Sequence, residues 1–125
     1  MRQRLETPII LRRVRLEGPV ASREVDMLLD TGAAYTAISW EVAKDLGYDP
    51  AGSPERVPLV TANGVIEVPK LIVQQVAFRE LAVKQAEVIC HDIPELVEIE
   101  GLVGLSFLKH FRVLMDFKKG ILEIK

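Results

Sequence analysis

The chain has 125 residues, of which 49% are hydrophobic and 27% are charged. This balance excludes a disordered chain, and the length suits one domain, so we expect a single globular domain over residues 1–125. The formal net charge of −2 excludes a strong global field that would attract nucleic acid or an anionic membrane, and we expect neither as a partner.

The first two predicted strands lead to a carboxylate. In IILRRVRLE, the apolar Ile10, Val14 and Leu16 alternate with charged residues, which predicts a strand with a solvated basic face. A second strand, EVDMLLD, runs directly into Asp30-Thr31-Gly32. Glycine lets the backbone turn sharply and approach a ligand, so this strand end is a candidate site.

A short helix and a hairpin are predicted next. Ser39 is a candidate N-cap for WEVAKDL, and Gly47 is a candidate C-cap. Trp40, at the start of this helix, is expected in core or dimer packing rather than in a binding platform. The segments RVPLVTA and VIEVPKLIVQQVAF flank Asn63-Gly64, a strong signal for a two-residue hairpin turn.

The strand LAVKQAEVIC ends in Cys90, followed by His91 and Asp92. A lone cysteine in an apolar run predicts a buried free thiol in a reducing compartment. The start MRQRLETPII lacks an apolar stretch of signal length, so we expect a cytoplasmic protein. We read His91 and Asp92 as the exit from the strand. Too few ligands stand near them for a zinc site, and we expect no metal and no cofactor.

The last predicted elements are a short helix in SFLKHF, with Ser106 as its cap, and the strands RVLMDF and ILEI around a turn at Lys118-Lys119-Gly120. Short strands therefore dominate the chain, which indicates a mostly β sandwich or barrel.

Three segments together resemble a known family. LLDTGAAYTAIS resembles the active-site loop of retropepsin-like aspartic proteases, and GLVGLSFLKHF resembles their second signature of two apolar residues, a glycine and a short helix. Between them, RVPLVTANGVIEVP resembles the flap hairpin. The order, the spacing and the ending RVLMDFKKGILEI match the single-domain members found as stand-alone bacterial and archaeal chains. The resemblance covers residues 9 to 124 and implies a single-lobe acid-protease barrel with a flap hairpin and one or two short helices.

This resemblance implies an aspartic endopeptidase that cleaves polypeptides as a homodimer. Two carboxylates must share one proton, and each chain has one Asp-Thr-Gly, so a second copy supplies the other carboxylate. The implied catalytic residues are Asp30, Thr31 and Gly32. The implied substrate-binding residues are Ala33, Ala34, Thr61, Ala62, Asn63, Gly64 and Val65.

The sequence departs from the retroviral pattern at both signatures. An acidic residue four positions after the catalytic aspartate is replaced by Ala34, and the arginine that pairs with it is replaced by Leu105. We expect an apolar contact in place of that salt bridge. Tyr35 is expected either to offer its hydroxyl to the substrate or to pack its ring into the cleft wall.

A second function stays open beside the protease. Because the substrate contacts at Ala34 are lost, a dimeric binding or assembly module with little or no turnover is the alternative. An actin-like ATPase, which also uses an Asp-Thr-Gly turn, is disfavoured because the chain is short and lacks a glycine-rich phosphate loop.

Overall fold

The structure is a computed structural model, and it describes residues 1–94 and 98–125. These residues form ten strands, two α-helices and one 3-10 helix. The strands are β1 (Arg2–Arg4), β2 (Ile10–Glu17), β3 (Ser22–Leu29), β4 (Thr36–Ile38), β5 (Arg56–Thr61), β6 (Gly64–Phe78), β7 (Leu81–Cys90), β8 (Gly101–Val103), β9 (Val113–Asp116) and β10 (Ile121–Ile124). The helices are α1 (Trp40–Leu46), the 3-10 helix (Pro50–Gly52) and α2 (Leu105–Leu108). Within the described ranges, no helix has the length and apolar character needed to cross a membrane.

Six strands close into a mixed barrel. The order is β2-β3-β8-β4-β7-β6, and β6 returns to pair with β2 through Ala77↔Arg15 and Gln75↔Glu17. The pairs β3–β8 and β4–β7 are parallel, and the other pairs are antiparallel. The parallel β3–β8 pair places the ends of these two strands side by side, and these ends carry the two sequence signatures.

Strand β6 takes part in both a hairpin with β5 and the barrel. Its first part pairs with β5 from Thr61↔Gly64 to Arg56↔Pro69, and the rest, from Lys70 onward, pairs with β7. The β5–β6 hairpin therefore extends from the barrel as one arm. Lys70 Nζ lies 3.2 Å from carboxylate oxygens of both Glu55 and Glu87, at the base of this arm. The hydrogen bond that Lys70 donates to Glu55, and then the one it donates to Glu87, raises the pKa of Lys70 because both favour its charged form.

The two ends of the chain form a separate three-stranded sheet in the order β1-β10-β9. Its inner face packs on the main core through Val113 and Met115, together with the fully buried Leu122 and Ile124. The other face carries Leu114, which is 47% exposed.

The core fills the barrel and continues under both helices. Its largest fully buried side chains are Phe78, Phe107, Leu11, Leu16, Met27, Ile38, Leu46, Leu122 and Ile124. In β2 the expectation that Ile10 shares the buried face with Val14 is wrong. Arg13 has a φ of 58°, and the pairing with β3 shifts between Leu11 and Val14. This bulge changes the face of the strand, so Leu11 is buried instead.

The predicted caps of α1 are confirmed, and that of α2 is wrong. Ser39 Oγ accepts the Val42 N–H at 3.1 Å, and Gly47 ends the helix with a φ of 101°. Helix α2 begins at Leu105 with Gly104 at the N-cap position, without a side-chain cap. Ser106 lies inside the helix, where its hydroxyl bonds to the neighbouring strands β4 and β7.

The hairpin turn is displaced by one residue from its predicted position. Thr61 pairs with Gly64, so the loop residues are Ala62 and Asn63, and Gly64 has a φ of 119°. Neither loop residue has a positive φ. The connection is thus an ordinary β-turn followed by a glycine with a positive φ. It is not a mirror-image (type I′) turn centred on Asn63-Gly64.

Candidate active site

The Asp30 loop is tied to its neighbours by backbone hydrogen bonds. Because β3 and β8 are parallel, Leu29 lies opposite Val103, and the Asp30 N–H donates to the Val103 carbonyl at 2.9 Å. The Gly32 N–H donates to Asp30 Oδ1 at 2.9 Å. The carboxylate, which is half-buried, is therefore oriented by the backbone of its own loop.

Helix α2 begins directly beneath this loop. The Leu105 and Ser106 N–H groups donate to the carbonyls of Ala33 (2.8 Å) and Ala34 (3.0 Å). A Cβ on Gly104 would lie 2.5 Å from the Tyr35 carbonyl oxygen and 2.7 Å from that of Ala33. Only glycine allows this approach, which explains why the second signature needs a glycine here.

Two buried hydroxyl groups fasten the same region to the barrel. Thr36 Oγ1 accepts the Gly104 N–H at 3.1 Å, and Ser106 Oγ accepts the Thr36 N–H at 2.8 Å. Ser106 Oγ also donates to the Glu87 carbonyl of β7 at 2.7 Å. The loop, α2, β4 and β7 thus form one hydrogen-bonded support under Asp30, and buried networks of this kind are rigid when every member is paired.

A cleft of about 450 Å³ opens above this support. Its floor is the loop at residues 30–35, one wall is strand β5 of the hairpin, and the other is formed by the ends of β7 and β8. The lining residues are Asp30, Gly32, Ala33, Ala34, Tyr35, Ala37, Pro58, Leu59, Val60, Ile89, His91 and Leu102. Asp30 is the single carboxylate among them.

The structure brings most of the predicted site residues together, but not all of them. Asp30, Gly32, Ala33 and Ala34 line the cleft. Thr31 is exposed and does not line it. The hairpin residues 61–65 also lie outside the lining, where Pro58, Leu59 and Val60 stand instead, because the hairpin tip projects beyond the barrel.

The residues that depart from the retroviral pattern, Ala34 and Leu105, lie on two segments that are joined by backbone hydrogen bonds from Leu105 to Ala33 and from Ser106 to Ala34. Both Ala34 and Leu105 are exposed, Leu105 to 44%. Tyr35 packs on an apolar cluster formed by Ala37, Val68 and Ile89, which supports the expectation that its ring belongs to the cleft wall.

Sequence reasoning missed His91 as a cleft residue. It does follow β7 directly, as expected of a strand exit, and its N–H donates to the Ile38 carbonyl at 3.0 Å. The parallel β4–β7 pairing then brings it beside the loop that carries Asp30. A single sequence does not show this pairing. The adjacent Cys90 is buried, and burial, with a smaller effect of Asp92, raises its pKa to about 12.

Residues 16–110 match the family model described as gag-polyprotein putative aspartyl protease. A curated relative, an uncharacterized protein in the cobV 5′ region of a Sinorhizobium species, is 29% identical over 100 residues. That match covers 76% of this chain and 40% of the relative, so the chain spans about two fifths of the relative's length.

Among solved structures, a retropepsin-like aspartic protease from Rickettsia conorii is similar, with a TM-score of 0.73 and 21% identity. The match covers 99% of this chain and 88% of that one. At this identity the similarity concerns the fold, and it confirms the predicted mostly β, retropepsin-like barrel.

Proposed function

Because this chain belongs to the gag-polyprotein putative aspartyl protease family, we propose that it is an aspartic endopeptidase that acts on polypeptides as a homodimer. The observation that carries the proposal is the position of Asp30 at the floor of a cleft, on a loop tied by hydrogen bonds to β8 and α2. A buried free thiol at Cys90 suits a reducing compartment, and we place the protein in the cytoplasm.

The reaction needs a second carboxylate, and among the described residues Asp30 is the only carboxylate in the cleft lining. Two carboxylates about 4 Å apart repel by about 4 kcal/mol at an effective dielectric near 20, so such a pair retains one proton over a wide acid range. A two-fold axis between two copies supplies the second carboxylate in an equivalent environment.

With the dyad formed, each group has a defined task. The ionised carboxylate takes a proton from water as the water oxygen attacks the peptide carbonyl carbon, and the protonated one gives its proton to the carbonyl oxygen. The resulting diol collapses when the carboxyl group that took the proton from water gives it to the amide nitrogen, the other carboxylate takes a proton from a diol hydroxyl, and the C–N bond breaks. Gly32 holds one Asp30 oxygen in place, and we assign exposed Thr31 to contacts with the loop of the second copy.

We assign substrate binding to the floor of the cleft and to the hairpin above it. Ala33 and Ala34 would meet the peptide backbone on the floor, and the hairpin would close over it from above. In that closure the tip residues Thr61, Ala62, Asn63, Gly64 and Val65 act as the flap. The hairpin projects as one arm from the barrel, and Val60 and Val65 are 80% and 66% exposed. An exposed apolar hairpin suits a flap that excludes water on closure.

We also propose where the second copy docks, namely along the free edge of β9. Arg112 exchanges two backbone hydrogen bonds with Lys125 of the strand that continues β10, at 2.8 Å and 3.0 Å. In an antiparallel pair the hydrogen-bonded positions alternate, so Val113 and Met115 direct their N–H and C=O groups to the other edge. In the part of the chain that the structure describes, no strand pairs with that edge.

This edge is complementary to a second copy of itself. With the two-fold axis at Leu114, the antiparallel strand pairs Leu114 with its own copy and Val113 with Met115 of the partner subunit. Arg112 then faces Asp116 of the partner subunit on the outer face, beside the exposed Leu114 pair. Apolar cross-strand pairs and opposite charges both stabilise a sheet, and the result is a six-stranded sheet across the dimer.

The test of the proposed activity is cleavage of a peptide library between about pH 4 and pH 6, where a dyad of this kind holds one proton. The wild-type protein should cleave, and Asp30→Asn should lose turnover by several orders of magnitude while it remains folded and dimeric. Asp45→Asn, at an exposed carboxylate on α1, is the matched control and should cleave normally. Equal cleavage by Asp30→Asn would refute the assignment, and two equally inactive dimers would favour the binding or assembly module.

A further inference from the structure

His91 lies at one end of the cleft, where the parallel pairing of β4 and β7 delivers it. Ile38 pairs with Cys90, and the His91 N–H continues this ladder to the Ile38 carbonyl at 3.0 Å. Its backbone position is thus fixed by the barrel rather than by a free loop. The residue is half-buried and shares the cleft lining with Asp30.

The rest of this end of the cleft is apolar. Ala37 and Ile89 belong to a buried cluster outside the barrel core, and Tyr35, Leu59 and Leu102 pack against it. These five residues also line the cleft. A substrate side chain that enters here therefore meets an apolar wall with one imidazole beside it.

The described charged groups around this pocket leave the imidazole available. The titratable side chains of the lining are Asp30, Tyr35 and His91. The Asp92 carboxylate accepts the Trp40 N–H of α1 at 3.0 Å. On the neighbouring strands, Glu87 is engaged by Lys70 at 3.2 Å. Among the described residues, no carboxylate forms an ion pair with His91.

We propose that His91 determines substrate specificity, by selecting a glutamate side chain in the pocket formed with Ala37, Ile89 and Leu102. This inference rests on the proposed protease function. The two methylene groups of glutamate cover the apolar wall, and its carboxylate accepts a charge-assisted hydrogen bond from the imidazolium. Without His91, the titratable groups left in the lining, Asp30 and Tyr35, carry no positive charge and disfavour an acidic substrate.

The preference for glutamate has its own pH range. In water, a glutamate carboxyl and an imidazole carry opposite charges between about pH 4.3 and pH 6.5. This range overlaps the acidic conditions in which an aspartate dyad holds its single proton. We therefore expect the enzyme to distinguish glutamate from glutamine under these acidic conditions, and pH 5.5 is a suitable point at which to measure it.

The test compares peptide pairs that differ only by Glu or Gln at each of the positions flanking the cleaved bond. At pH 5.5 the wild-type protein should favour Glu at one position by roughly tenfold in kcat/KM, the size expected of one charge-assisted hydrogen bond. His91→Gln should reduce this ratio to about one, whereas His91→Lys, which retains a positive charge at this position, should keep it. His110→Gln changes an exposed histidine at the end of α2 and should leave the ratio unchanged.

The same peptides are also titrated onto the Asp30→Asn protein, which reports binding without cleavage. A Glu preference in binding that His91→Gln removes supports the inference even if no variant cleaves, and in that case only the protease function fails. An equal affinity for the Glu and Gln peptides, or a preference that survives in His91→Gln, overturns the role of His91.

Discussion

At the scale of single residues, the support under Asp30 depends on two small hydroxyl side chains that are almost fully buried. Thr36 and Ser106 are 0% and 5% exposed, and each forms hydrogen bonds with backbone groups of another element. From the sequence alone, Ser106 cannot be distinguished from a helix cap, because serine is common both at helix caps and at buried hydrogen-bonding positions. What decides its role is the register between α2, β4 and β7, which only the folded chain shows.

We predict that Ser106→Ala lowers the free energy of unfolding by about 1–3 kcal/mol, because it leaves the Thr36 N–H and the Glu87 carbonyl without partners in a buried site. Chemical denaturation measures this change. Ser22→Ala, at an exposed serine of β3, should change the unfolding free energy by less than about 0.5 kcal/mol. Equal effects of the two substitutions would show that the network adds no stability.

A second residue-scale prediction concerns Cys90, whose pKa is raised from 9.0 to about 12 by burial and then by Asp92. The native thiol should resist alkylation at pH 8 and react fully once the protein is unfolded. Between pH 9 and pH 12 the unfolded chain releases this proton and the folded chain keeps it, so stability falls as pH rises. The slope contributed by this group is at most about 1.4 kcal/mol per pH unit. Cys90→Ala should remove this contribution to the slope. An unchanged slope would contradict the raised pKa of Cys90.

At the scale of elements, what the sequence predicts well is the set of long strands with clear apolar patterns. The strands at residues 9–17, 24–30, 65–78 and 81–90 are confirmed, as is the helix between Ser39 and Gly47. The three-residue strands β1 and β8 are too short for a pattern to show. The Arg13 bulge and the true hairpin loop at Ala62-Asn63 were missed, because both depend on pairing with a partner strand.

The edge of β9 supplies an element-scale prediction. Arg112→Asp alone should raise the dissociation constant of the dimer roughly tenfold, because each of the two equivalent contacts then brings two carboxylates together. Asp116→Arg alone should raise it by a similar factor. The double substitution exchanges the charges and should restore association. Sedimentation at several protein concentrations measures this, with Arg15→Asp on β2 as a control away from the edge. A double variant no better than the single ones would exclude this docking register.

At the scale of the whole molecule, the sequence predicts the barrel and the Asp30 loop because both rest on local motifs in a fixed order. The shape of the cleft could not be predicted. Its walls join residues from β4, β5, β7 and β8, and these meet only when β6 returns to β2 and closes the barrel. His91 is the clearest case, since nothing in its neighbourhood in the sequence connects it with residues 30–37.

In the proposed function the site belongs to the whole assembly, because each chain would contribute one carboxylate to a shared dyad. The most direct test mixes wild type with Asp30→Asn in known ratios under conditions that allow the subunits to exchange, and then measures peptide cleavage. If both carboxylates are required, only wild-type pairs are active, and an equal mixture retains about a quarter of the activity of the same total amount of wild type. Activity that falls only to about half, in proportion to the wild-type chains present, would show that each chain works alone and would contradict the shared dyad.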